Sequence, residues 1–306
     1  MLLKVLGAAA GGGIPQWNCN CRYCQLCRRP EGKHQVIART QSSLAIAAPD
    51  GRWVIVNASP DIHQQLQRWL PRPQNAGPRW SPVAAVILTD SQIDHCAGLL
   101  LLREANTPLP IYCTDPVAAD LTTTFPVLTM LGSYAGVDLR RLSGGGEKVV
   151  IPELGGIEII ALPMQGKAPP YSEARSRPAA QATIALVLRD PATGGSAVYA
   201  PGIASVPATL RPYLAAADVL LVDGTCWHDD DLQRAGCGTR RARQMGHMPL
   251  AGPDGLLAEL ALYPKARRLL VHINNTNPIL DEASSEHLEL KERSIEIAID
   301  GTEVRC

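Results

Sequence analysis

The sequence predicts a layered α/β protein of one domain, and three observations carry that prediction. Short β-type runs recur from one end of the chain to the other. Helical patterns follow several of them. Neither an internal repeat nor a break in composition marks a boundary. Alternation of this kind covers the faces of a sheet with helices, so that both kinds of element bury their apolar sides. Residues 1–306 therefore read as a single domain, long enough to bury a substantial core.

The elements follow in order. "LLKVLGAA" is short and alternates like a strand; Gly-Gly-Gly ends it before any credible cleavage site, so it is not expected to be a signal peptide. "SSLAIAA" and "WVIVNAS" are strand-like, and "DIHQQLQRWL" is helical. "AAVILTD" is an apolar run that leads into a polar loop, and the Leu-rich helical pattern "AGLLLLREA" leads out of it. "PIYCTD" precedes the helical "PVAADLTTTFPVLTML". Then come the strand-like "IEIIALPM", "ATIALVLRD" and "SAVYAPG", the helical "VPATLRPYLAAA", the strand-like "VLLVDG", the helical "DGLLAELALYP", and finally "RRLLVHIN" and "IEIAIDG". Stretches rich in Pro and Gly at 71–82, 143–156 and 166–180 are expected as loops, and the last is long enough to form a lid.

Composition excludes several classes. Apolar residues make up 46% of the chain and charged residues 19%, which argues against disorder. Formal net charge is zero, so no basic field points to nucleic acid and no polybasic stretch points to a membrane surface. No apolar run approaches the ~18–20 residues of a membrane span. A cytoplasmic protein is expected. No feature sets the oligomeric state, a homodimer being one candidate.

Nine cysteines in such a protein suggest metal or free thiols rather than disulfides. Four crowd into "CNCRYCQLC" (Cys19, Cys21, Cys24, Cys27), within a Cys-rich loop at about 17–30. The C-x-C-x-x-C spacing lets Cys19, Cys21 and Cys24 share one ion. Soft sulfur donors in a closed tetrahedral set favour a structural zinc. The bland alternative is a few reduced thiols in a loop. Cys27 is a candidate fourth ligand, but Cys24-Gln-Leu-Cys27 equally fits the start of a helix that points it elsewhere, leaving a distant residue to close the set. Cys96, Cys113, Cys226 and Cys237 are read as buried small hydrophobes.

"DSQIDHCAGLLLLRE" (90–104) sits where a metal loop would follow a strand. It resembles the His-x-His-x-Asp-His loop of the metallo-β-lactamase superfamily, with the four ligand positions occupied by Asp90, Gln92, Asp94 and His95. "LLVDGTCW" (220–227), the 243–278 segment ending in "VHINNTNP", and "IEIAIDGTEVR" resemble further segments of that superfamily. "GGGIPQWNCNC", "RTQSSLAI", "NASPDI", "DSQIDH", "YAPG" and "VHINNTNPILDE" are more specific: by them the chain is similar, nearly end to end, to the pyrroloquinoline quinone biosynthesis B family. The resemblance implies a four-layer αββα sandwich with its site at one edge of the two sheets.

It also implies which ligands survive. Of the first metal site of dinuclear members, the loop positions read Asp90 and Gln92, a later His position reads Gly166, and the bridging Asp position reads Gly202. That site should be empty. The second site keeps Asp94, His95 and His272. Two imidazoles and one carboxylate with open positions suit non-haem Fe(II), which leaves room for O₂ and substrate; the same set also suits zinc. The bland reading is that Asp94 and His95 cap a helix and His272 is a core histidine. His247 matches an outer histidine of related nucleases and is a candidate to donate a proton or hold bound oxygen, with a structural role as the alternative, and Asp223 is a candidate to orient an imidazole or, equally, to cap the following loop. In a related phosphodiesterase the cysteine zinc is closed by a His at the position of Asn275, so Asn275, Cys27 and water are the candidate fourth ligands here. Arg39 and Ser42 are candidates for the pocket wall. His34, His63, His228 and His287 match no ligand position.

The resemblance implies a place in making pyrroloquinoline quinone from a Glu-Tyr pair of a precursor peptide, and three functions fit that place and these residues. The first is an Fe(II)-dependent hydroxylase that uses O₂ on the tyrosine ring of a Glu-Tyr precursor. The second is a carrier for the quinone or its precursor, and the third a mononuclear zinc hydrolase. The implied cofactors are a structural zinc and a catalytic Fe(II), with zinc as an alternative in the isolated protein.

Overall fold

Strand parity builds the core. In the computed structural model of the chain, residues 1–177 and 179–306 are described, and their strands form two seven-stranded sheets. The first sheet holds β1 (Leu2–Gly7), β2 (Ser43–Ala47), β3 (Trp53–Val56), β4 (Val83–Ile87), β5 (Leu109–Cys113) and β6 (Val137–Arg141). The second holds β7 (Lys148–Val150), β8 (Glu158–Pro163), β9 (Ile184–Arg189), β10 (Ser196–Ala200), β11 (Val219–Asp223), β12 (Arg267–Val271) and β13 (Ile295–Ile297). The last strand, β14 (Glu303–Arg305), returns to the first sheet beside β1.

Successive side chains of a strand point to opposite faces. Val54 and Val56 of β3 join Leu186 and Leu188 of β9, and Leu221 of β11, in a core between the sheets. Their neighbours in sequence face outward. Trp53 and Ile55 pack under the helices Ile62–Trp69 and Asp115–Thr122, whereas Val187, Leu220 and Val222 pack under Arg211–Ala216 and Leu256–Leu260. Buried on both faces, these strands read as unbroken apolar runs. The result is the expected four-layer αββα sandwich.

Four strands of each sheet run parallel, β3 to β6 and β10 to β13. Their carboxyl ends gather at one edge, the place where ligands bind in sheets of this kind. Two links stitch the sheets together there. Ala9 bridges Ile273 beyond the ends of β1 and β12, and Asp90 bridges Thr183.

Several elements differ from expectation. The loop at 143–156 contains β7, and β6 was not expected at all; both are short and neither has a fully buried residue, so neither carries a strong apolar pattern. "PVAADLTTTFPVLTML" breaks at Pro126 into helices Asp115–Thr122 and Val127–Leu131, since a proline removes a backbone donor. The lid expected over 166–180 includes Pro178, which lies outside the described residues. Its preceding part is fastened rather than loose: Ser172 Oγ donates to Asp120 Oδ1 at 2.7 Å and the Tyr171 hydroxyl donates to the Ser91 carbonyl.

Candidate metal centre

β4 ends at Ile87, and the turn after it delivers Asp90, Asp94 and His95 to the sheet edge. β12 ends at Val271, and the next residue is His272. His272 sits in the left-handed region at φ 55°, a conformation that costs a non-glycine residue energy and turns its side chain towards the loop. Asp94, His95 and His272 thereby bring one ligand atom each within 4.8 Å of one another.

Hydrogen bonds select the nitrogen that each imidazole offers. His95 Nδ1 lies 2.8 Å from Asp90 Oδ1, so its Nε2 is left bare. That Nε2 is buried and has no hydrogen-bond partner among the described residues, with Asp94 Oδ2 at 3.8 Å. An orphaned buried nitrogen costs free energy unless something binds it. A metal ion between it, Asp94 and His272 Nε2 (3.4 Å from Asp94 Oδ2) would remove that cost. The donor set fits the ion that the sequence implies. Gly11 passes over the site, and a side chain there would press on Asp94 Oδ2, 3.2 Å from its first carbon.

A second network stands behind His272. Thr225 Oγ1 lies 2.9 Å from His272 Nδ1 and donates to Asp223 Oδ1 at 2.6 Å. Asp223 also accepts from the Ile203 and Thr225 backbone N–H groups, at 2.8 and 2.9 Å, and its Oδ2 lies 2.6 Å from His247 Nδ1. The His247 and His272 rings stack with centroids 5.2 Å apart. Thr225 was not singled out in the sequence, because a lone hydroxyl after a strand has no pattern of its own.

Charge follows this geometry. Burial opposes ionisation of His95, yet Asp90 and Asp94 together hold its imidazolium up to about 9. Burial likewise disfavours a charged Asp94, but His95 and His272 bring its carboxyl below the usual range. Burial would lower His247, and the Asp223 carboxylate raises it instead.

The positions of the abandoned first site serve other ends. Gln92 Nε2 donates to the Lys167 carbonyl at 2.7 Å. A side chain at Gly166 would meet Thr183 Oγ1 at 2.6 Å. Asp90 lines the pocket, but its carboxylate is engaged by His95. Arg39 and Ser42 are absent from the pocket wall: buried Arg39 donates to the Ala298 carbonyl and Ser42 meets the Tyr199 hydroxyl.

The cysteine cluster brings a correction. Cys237, expected to be buried, is exposed, and its sulfur lies 3.6 Å from Cys19 Sγ. Cys19, Cys21 and Cys237 form a metal-sized group. Cys24 lies behind them, where the Asn275 amide donates to its sulfur at 3.3 Å and to Cys21 at 3.8 Å. Cys27, on the helix Arg22–Arg28, instead packs against the outer core of the second sheet. Cys237, which was not among the candidates for the fourth position, thus reaches the cluster, Cys27 does not, and Asn275 faces the thiols as a hydrogen-bond donor. Burial raises the Cys21 thiol; it also disfavours a Cys19 thiolate, which the Cys21 N–H and the surrounding thiols nevertheless bring low.

Known proteins share this architecture. The Beta-lactamase superfamily domain matches residues 52–273. The chain is 44% identical to coenzyme PQQ synthesis protein B of Methylococcus capsulatus over 304 residues, and 47% identical to that of Pseudomonas protegens over 305, with 99% of both chains covered in each case. It superposes on the crystal structure of zinc-bound PqqB from Methylobacterium extorquens with a TM-score of 0.90 at 37% identity, covering 100% of each chain. The chain belongs to the coenzyme PQQ synthesis protein B family, within the β-lactamase superfamily.

Proposed function

We propose that this member of the family acts in pyrroloquinoline quinone synthesis as an Fe(II)-dependent hydroxylase, placing oxygen from O₂ on the tyrosine ring of a Glu-Tyr precursor. The observation that carries the reading is the donor set of Asp94, His95 and His272, within 4.8 Å of one another, beside a cavity of about 640 Å³. Bound Fe(II) would supply O₂ activation, with one oxygen atom entering the ring and the other leaving as water at the expense of an external two-electron reductant. Two histidines and one carboxylate leave coordination positions open for that purpose.

The chain's own residues do the rest. Asp90 fixes the His95 tautomer, and Thr225 does the same for His272, so that both Nε2 atoms stay available. His247 lines the cavity, with Asp223 holding its Nδ1. Its other nitrogen is therefore placed to donate a proton towards the oxygen that leaves as water and to take up the proton that the ring carbon loses, and Asp223 stabilises the charged form. Cys19, Cys21, Cys24 and Cys237 are assigned a structural zinc, as suits a closed set of thiolates.

The Methylobacterium extorquens relative is zinc-bound, and Asp94, His95 and His272 also suit that ion; a second reading therefore has zinc in the pocket and a protein that carries the quinone or hydrolyses a bond. Turnover separates the two. Protein loaded anaerobically with Fe(II) should consume O₂ with a Glu-Tyr dipeptide and a two-electron reductant such as ascorbate, and Zn(II) should inhibit, because zinc has no redox chemistry. Equal rates with either ion, or tight quinone binding without oxygen uptake, would remove the hydroxylase.

A further inference from the structure

Among the described residues, the charged groups of the cavity are paired at its floor and unpaired at its rim. Its two lining carboxylates, Asp90 and Asp94, both face imidazoles. Three exposed cations surround its mouth: Lys167, Arg175 and Arg240. None makes a salt bridge among the described residues, whereas Arg241, next to Arg240, pairs with Asp229.

Two of these cations are held in place and, among the described residues, the third is left free. Lys167 Nζ donates to the Gln244 carbonyl, which ties the 166–175 loop to the segment on the other side of the mouth. Arg175 Nη1 donates to the Ala168 carbonyl at 2.7 Å, closing its loop on itself, and Ser172 pins that loop to Asp120. Arg240 stands three residues after Cys237, whose sulfur meets Cys19. Its guanidinium has no protein acceptor among the described residues. A lysine carries three donors and an arginine five, in a fork that matches a carboxylate. Lys167 and Arg175 each use one donor on a backbone carbonyl, so most of the donor capacity at the rim is left free for a ligand.

We propose that Lys167, Arg175 and Arg240 form an anion-recognition rim that selects a small ligand bearing at least two carboxylates, with Arg240 binding one of them in bidentate fashion. The inference rests on the cavity being the substrate site, as proposed above, but not on oxygen chemistry. A ligand held by carboxylates at the mouth presents its other end to Asp94, His95 and His272.

The test is a cycle between protein charge and ligand charge. Zinc-loaded protein without reductant, in which no hydroxylation can proceed, is titrated by calorimetry with glutamyl-tyrosine and with the same dipeptide carrying amides in place of both carboxylates. Native protein should bind the diacid about 10- to 100-fold more tightly, the range expected of hydrogen bonds to charged groups. Arg240→Gln should remove most of that preference and leave the diamide unchanged. Lys167→Gln and Arg175→Gln should each remove a smaller part, and raised salt should weaken only the diacid. All three side chains are exposed, so the variants should fold. Equal or undetectable binding of the two probes by native protein overturns the inference, as does full diacid affinity in all three variants. Charge-dependent binding that persists in protein showing no Fe(II)-dependent turnover would sink the hydroxylase and leave the rim standing.

Discussion

Asp90 stands where two-metal enzymes of the superfamily carry a histidine, and here its carboxylate reaches back to His95 Nδ1 at 2.8 Å. Sequence could place it beside a metal loop but could not give its direction, since the same turn would also let it face an ion. Thr225 was invisible for a related reason: only the fold brings a residue after β11 against one after β12. Asp94, His95 and His272 were legible because their types and spacing survive as a set. Asp90→Asn keeps all three donors but removes the charge that orients His95, and losses of outer partners of this kind lower metal affinity about 10- to 100-fold. Competition with a chromophoric chelator measures it, and unchanged affinity would refute the orienting role. A pH effect follows from the same pair. The folded His95 is raised to about 9 from an ordinary 6.5, so in the metal-free protein its charged contacts with Asp90 and Asp94 stabilise fully below pH 6.5 and are lost as pH climbs through 9. The metal-free melting temperature should therefore fall between pH 6.5 and 9, while metal-loaded protein, whose His95 is already neutral, should lack that fall. Parallel curves for the two forms would contradict it.

At the scale of elements, strands buried on both faces announced themselves as apolar runs, whereas β6 and β7 did not, because an exposed edge needs no apolar side chain. The segment from His228 to His247 shows a different limit. It holds only the short helices Asp231–Arg234 and Ala242–Met245, so periodicity says little about it. Yet it brings Cys237 to the cysteine cluster and Arg240 and His247 to the cavity. Default burial was a poor guide to Cys237: its surroundings in sequence, "RAGCGTRRAR", are polar and glycine-rich, which is a signal for an exposed turn. Replacing single cysteines distinguishes the candidate ligands. Cys237→Ser should lower zinc affinity and melting temperature, while Cys27→Ser should leave zinc content unchanged, since Cys27 only packs against the outer core. Elemental analysis after dialysis against a weak chelator reads both, and the reverse order of effects would return the fourth position to Cys27.

For the whole molecule, the two proposed ions occupy mechanically different places. Asp94 and His95 follow β4 and His272 follows β12, and both strands are fixed by pairing on each side and by the core between the sheets. This sandwich was legible as layers from strand and helix alternation, and as four layers from the resemblance. What could not be read was how the irregular segments at its edge are fastened. The cysteine ion would fasten them, because it joins Cys19 to Cys237, 218 residues apart in the chain, through segments with little regular structure. Closing so long a loop restricts the unfolded chain strongly, and metal binding that closes it is folding free energy. Removing the two ions should therefore have unequal consequences. A chelator that strips the exposed cavity should abolish activity, leave far-ultraviolet circular dichroism unchanged and shift the melting temperature little. Thiol-directed removal of the cysteine ion, with a mercurial followed by chelation, should lower the melting temperature by several degrees and expose the 228–247 segment to protease before either sheet. Limited proteolysis with mass mapping reads the order. Cleavage within β4 or β12 ahead of that segment would mean that the cavity ion, not the cysteine ion, holds the edge of the sandwich together.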